Sequence, residues 1–147
     1  MFEISHLPER STRPRTNGLT MVMDKGLSLR QAEDIIETGG ELVDLLKLGF
    51  GTSLVTPNVG AKVKRYHEAG FDVYCGGTLF EAFYIRNELD NYLRFIDSLG
   101  ITCLEVSDGS MVLPHDEKCE LINQLSKNYK VLSEVGSKEE GILISPA

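Results

Sequence analysis

The stretch LVDLLKLG (42–49), running on into FGTS (50–53), decides how this chain folds. Val43, Leu45, Leu46 and Leu48 make it nearly continuous in apolar side chains. A short run of that kind, closed by glycines and hydroxyls, reads as a strand of a parallel sheet covered on both faces. Lys47 is the exception in it. A lysine inside an apolar run needs a partner or a function. Both are supplied if Lys47 sits at the strand's end, beside a loop shaped for an anion.

Working outward, four more segments share the pattern, apolar at the start and polar or glycine-rich at the end: LTMVMD (19–24), FDVYCGG (71–77), ITCLEVSDG (101–109) and YKVLSEVG (129–136). They follow one another at the spacing of a βα unit. The intervening stretches predict helices. SLRQAEDIIETGG (28–40) opens with a capping box, Ser28 and Gln31, and stops at Gly39-Gly40. TPNVGAKVKRYHEAG (56–70) starts with Thr56 as N-cap and Pro57 in the first turn. TLFEAFYIRNELDNYLRFIDSLG (78–100) opens with Thr78 and Glu81 in capping-box spacing, and PHDEKCELINQLSKN (114–128) completes the set. The class is α/β, either an open doubly wound sheet or a closed barrel. In both, functional groups gather at the carboxyl ends of the strands.

Composition fits one domain over residues 1–147, with residues 1–17 as an N-terminal arm whose Arg10, Arg13 and Arg15 are read as solvated. With 41% hydrophobic and 25% charged residues and a net charge of -7, the chain is no general nucleic-acid binder, though a local basic pocket for a small anion is compatible with it. The three cysteines, Cys75, Cys103 and Cys119, form no CxxC pair and predict neither a disulfide framework nor a zinc site. No segment suits a signal peptide or a membrane span, so a cytoplasmic protein with no membrane partner is expected.

Alternation along the strands selects side chains that share a face. Asp24, Lys47, Glu105, Ser107 and Glu134, with Lys138 just past the last strand, are expected on one rim, where opposite charges meet because lone buried charges are costly. Carboxylates there suit a hard cation and lysines an anion. The GFGTS loop contributes Gly49, Gly51, Thr52 and Ser53, and the GGT loop Gly76, Gly77 and Thr78. Both let backbone N–H groups approach an anion such as a phosphate closely. Glu81 is read as the capping partner of Thr78, Asp44 as a structural pair, Cys75 as a small buried hydrophobe, and His67 and His115 as solvent-facing.

The stretches PRTNGLTMVMDKGL (14–27), VDLLKLGFGTS (43–53), GGTLFEAF (76–83), LGITCLEVSDGS (99–110) and VLSEVGSK (131–138) together resemble the phosphosulfolactate synthase family. The resemblance implies a (β/α)8 barrel and Mg2+-dependent addition of sulfite to phosphoenolpyruvate. Sulfite sulfur attacks the methylene carbon, and the resulting enolate is protonated. It implies Glu105 and Glu134 as metal ligands with Asp24 or Asp108 nearby, Lys47 on a substrate anion, Lys25 among the substrate-binding residues, and Lys138 as proton donor. The family's EVGKK-type motif stands here as EVGSK, with Ser137 before Lys138. Relatives continue for three more βα units, so the chain reads as about five units of the barrel. Its open edges predict self-association and little activity alone. The alternatives are a Schiff-base aldolase-type lyase using Lys47 and a non-enzymatic barrel fragment.

Overall fold

The computed structural model describes residues 5, 6 and 8–136. Lys138, the expected proton donor, and Ser137 lie outside the described residues. Five short strands, β1 (Met21–Asp24), β2 (Leu45–Leu48), β3 (Asp72–Cys75), β4 (Cys103–Val106) and β5 (Lys130–Ser133), form one parallel sheet in the order β1-β2-β3-β4-β5. A doubly wound sheet reverses direction at a switch point. Strictly sequential order instead keeps every right-handed crossover on the same side, which is the arrangement of a barrel wall.

The helices are α1 (Leu29–Gly39), α2 (Val59–Glu68), α3 (Gly77–Tyr84), α4 (Leu89–Ser98) and α5 (His115–Leu125). The Ser28–Gln31 capping box is formed. Two predicted starts move. α2 begins after Asn58, in the left-handed conformation, rather than at Thr56-Pro57. α3 begins at Gly77 with Gly76 as its cap, so Thr78 is inside the helix and Glu81 is not its capping partner. The single helix expected over 78–100 is two, because Asn87 adopts φ 56° and breaks it.

The core lies between sheet and helices. Leu46, Leu48, Val73, Cys75, Leu104 and Val106 face it from the sheet, meeting Val63 and Tyr66 from α2, Phe80 from α3 and Ile96 from α4. Alternation sends Leu45, Tyr74 and Cys103 to the other face, where they form a second small cluster with Leu132. That face is the inner side of the wall, and the functional candidates are arranged along it.

At the strand-start end the arginines of the N-terminal arm are bonded rather than solvated. Arg10 donates to Thr20 Oγ1 (2.6 Å) and the Leu42 carbonyl, and Arg13 to the carbonyls of Val43 and Ala69. Arg15 donates to Asp44 Oδ1 at 2.8 Å with its side chain 5% exposed. The arm clips the approaches to β1 and β2 together because Thr20, Leu42, Val43 and Asp44, just ahead of those strands, offer a hydroxyl, two carbonyls and a carboxylate there. Among the described residues no helix is long and apolar enough to cross a membrane.

Candidate active site

Lys47 is the third residue of β2, and its register partners are Met23 on β1 and Tyr74 on β3. Paired residues of a parallel sheet point the same way, so Lys47 projects on the inner face. Its Nζ lies 2.9 and 2.8 Å from Oε1 and Oε2 of Glu105, on β4. The backbone N–H of Gly77 donates to Glu105 Oε2 at 3.1 Å. Glu105 is thus charge-paired and hydrogen-bonded, the condition under which a carboxylate can be buried. Burial first, and then the charge of Glu105, push the neighbouring Tyr74 phenol well above its ordinary range.

The GGT loop is glycine-rich for a packing reason. A Cβ on Gly76 would stand 2.8 Å from Lys47 Cε, and one on Gly77 only 2.3 Å from Ser107 Cβ. The first turn of α3 therefore closes directly onto the ends of β2 and β4. The anion that its leading N–H meets here is an internal one, Glu105, and Thr78 is exposed beside it.

Ser107, fully buried beyond β4, gathers two carboxylates. Its hydroxyl contacts Glu81 Oε1 and, at 2.5 Å, Glu134 Oε2. Glu81 also accepts the Ser110 N–H at 2.9 Å. Glu81 is 4% exposed and belongs to the site, a placement the capping pattern concealed. The signal that could have revealed it is its place one turn into the helix that follows GG, on the face that must pack on the sheet. Lys118 of α5 supports this side from below, bonding Asp108 Oδ1 at 2.8 Å and the Glu134 carbonyl at 2.6 Å.

Three expected members sit elsewhere. Asp24 pairs in register with Leu48 rather than Lys47, so it faces the helices. Its carboxylate is fully buried among Lys62 Nζ (2.7 Å), Tyr66 Oη (3.0 Å) and the N–H groups of Gly26 and Leu27. Asp24 therefore leaves the shared rim. Ser53 is turned into the core with its Oγ 3.7 Å from Cys75 Sγ. Thr52 spends its hydroxyl on the Gly49 carbonyl at 2.7 Å. Gly49 is needed for close approach, since a Cβ there would lie 2.9 Å from Met23 Sδ, while Gly51 turns at φ 70°. Lys25, exposed just beyond β1, has its Nζ 5.7 Å from the centre of the Phe50 ring.

The groups that do converge, the charged Lys47, Glu105, Glu81 and Glu134 and the hydroxyl of Ser107, come from β2, β4, α3 and the residues just past β4 and β5. All stand at the carboxyl ends of the strands. Among the described residues no three His, Cys, Asp or Glu side chains group as a ready metal set. Both oxygens of Glu105 face Lys47, and Asp108 is engaged with Lys118. Glu81 and Glu134 are the hard oxygen donors that meet, around Ser107. Two carboxylates suit magnesium, which takes its remaining ligands from water and substrate.

A cavity of about 520 Å3 lies at the opposite, strand-start end, lined by Arg15, Asp44, Asp72 and Lys130 among others. Its charges are mutually paired, Arg15 with Asp44 and Lys130 with Asp72. It collects none of the strand-end residues.

Residues 8–145 match the model of the family described as ComA, (2R)-phospho-3-sulfolactate synthase. The chain is 39% identical over 135 residues to a phosphosulfolactate synthase of Methanothermobacter thermautotrophicus, covering 90% of this chain and 52% of the relative. It is 33% identical over 133 residues to one of Bacillus subtilis, covering 90% and 53%. With one of Methanocaldococcus jannaschii it shares 40% identity over 124 residues, covering 82% and 49%. It thus spans about half the length of these relatives. Matched along nearly its whole length by that family, the chain belongs to the (2R)-phospho-3-sulfolactate synthases.

Proposed function

We propose that this chain forms the substrate-binding wall of a (β/α)8 lyase that adds sulfite to phosphoenolpyruvate. The observation that carries the reading is Lys47, held at the strand ends by both oxygens of Glu105, whose Oε2 in turn accepts the Gly77 N–H. Fixing the ammonium there presents a cation to an anionic substrate without the cost of ordering a free lysine. In the addition, a sulfur lone pair of sulfite forms the C–S bond to the methylene carbon. The π electrons move onto the carboxylate side as an enolate, and one proton then closes the neighbouring carbon. Lys138 is the proposed donor of that proton. Lys47 balances the growing charge, and Ser107, fixed between Glu81 and Glu134, orders the β4 and β5 side of the mouth. When bound, magnesium would be held by Glu134 and Glu81 and would supply Lewis-acid stabilisation of the enolate.

The Schiff-base alternative has less support. An imine-forming lysine must be a free neutral amine, whereas Lys47 is ion-paired through both carboxylate oxygens. Incubating a full-length relative with phosphoenolpyruvate, sulfite and magnesium, and following phosphorus NMR, tests the reaction. A new phosphosulfolactate resonance, reduced at least tenfold by the change equivalent to Lys138→Ala, is the expected result. Borohydride trapping of a carbonyl substrate on Lys47 would contradict the reading.

A further inference from the structure

Phe50 occupies the left-handed region at φ 54° and ψ 28°, followed by Gly51 at φ 70°. That conformation is strained for a bulky L-residue and natural for glycine. Burial does not explain its retention, because the side chain is 63% exposed. The turn carries the ring to Lys25, whose ammonium lies 5.7 Å from the ring centre. The two loops also touch directly, since a Cβ on Gly26 would meet the Thr52 side chain at 3.6 Å. Lys25 stands two residues beyond Met23, the register partner of Lys47. Strain kept at an exposed position is a mark of function when it places a specific group.

We propose that Phe50 is a positioning residue, its ring holding the Lys25 ammonium at the mouth to meet the phosphate group of the substrate. This rests on the anion-binding reading of the strand ends and adds a second cation to it, fixed through a π face rather than a carboxylate. The Lys47 ammonium is shared with the Glu105 carboxylate. Lys25 paired with a ring keeps its full charge for an incoming anion, because an aromatic face attracts a cation without carrying a compensating charge.

The test is phosphoenolpyruvate binding by calorimetry, with melting temperatures, for the full chain and for Phe50→Tyr, Phe50→Ala and Phe50→Gly. Binding should follow the ring. Tyrosine keeps the affinity, while alanine and glycine each weaken it about two- to fivefold. Stability should follow the backbone, with the glycine variant melting about 3 °C above the alanine variant. Unchanged affinity in Phe50→Ala, or affinity restored in Phe50→Gly, overturns the proposal while leaving the anion site standing. Absence of binding by the unaltered chain overturns the site reading, and this proposal with it.

Discussion

Gly77 shows how tightly the mouth is built at the scale of single residues. A methyl group there would overlap Ser107, which is fully buried and cannot swing away. Gly77→Ala should cost about 3 kcal/mol, read as a lower urea midpoint with an unchanged slope. Tyr92 gives the opposite case. Its hydroxyl is buried without a hydrogen-bond partner among the described residues, against Phe80 and Phe83. Phe in its place should be neutral or stabilising by about 1 kcal/mol in the same experiment, since an unsatisfied buried hydroxyl is a net cost. The thiols divide similarly. Burial raises Cys75 and Cys103 from an ordinary 9.0 to about 11, while Cys119 is exposed. Iodoacetamide at pH 8 should label Cys119 alone until the protein is unfolded. In the unfolded chain the two buried thiols ionise first, so stability present below pH 9 should decline as pH rises towards 11.

At the scale of elements, Lys62 of α2 and Asp24 of β1 form the most deeply buried ion pair described, with side chains 2% and 0% exposed. Asp24→Ala leaves that lysine charged and unpaired and should cost about 3–5 kcal/mol in equilibrium unfolding. Replacing both partners, Asp24→Leu with Lys62→Met, should recover most of the loss, because a well-packed apolar pair avoids desolvation altogether. An equal loss in the double variant would contradict this. The pair also explains what was legible in the sequence. All five strands could be read from their apolar runs, and the alternation that groups Val22 with Asp24 is correct. Which of those groups faces inward depends on register with β2, a relation between segments that no single segment encodes. Lys47, Glu105, Ser107 and Glu134 share one face as expected, because alternation within each strand and the register between β2, β3, β4 and β5 agree there. Glu81 was missed because a local capping pattern imitated its role, and tertiary packing of α3 on Ser107 overrode the pattern. The Asn87 break carried a readable cue, an asparagine able to adopt the left-handed turn, hidden within a long amphipathic run.

For the molecule as a whole, the two ends of the sheet have different tasks. The strand-start end is held by the arm. Burial of Asp44 opposes its ionisation, but the Thr20 N–H and Arg15 outweigh it and hold the carboxyl below its ordinary value. A depressed carboxyl stabilises above the ordinary carboxyl range, and that contribution disappears as pH falls through the folded value. Acid unfolding should therefore come at higher pH in Arg15→Ala. Among the described residues β1 and β5 each have one strand neighbour, and parallel edges of that kind invite pairing. Sedimentation of the full chain is expected to show association, and a strictly monomeric species would argue against that expectation.

The strand-end mouth is the part proposed to meet substrate, and amide shifts of the isotopically labelled chain titrated with phosphoenolpyruvate test this most directly. Perturbations should concentrate at Lys47, Gly76, Gly77, Glu105 and Ser107, leaving Asp72 and Lys130 at the other end unmoved. Shifts centred on the strand-start cavity, or none at millimolar ligand, would contradict it.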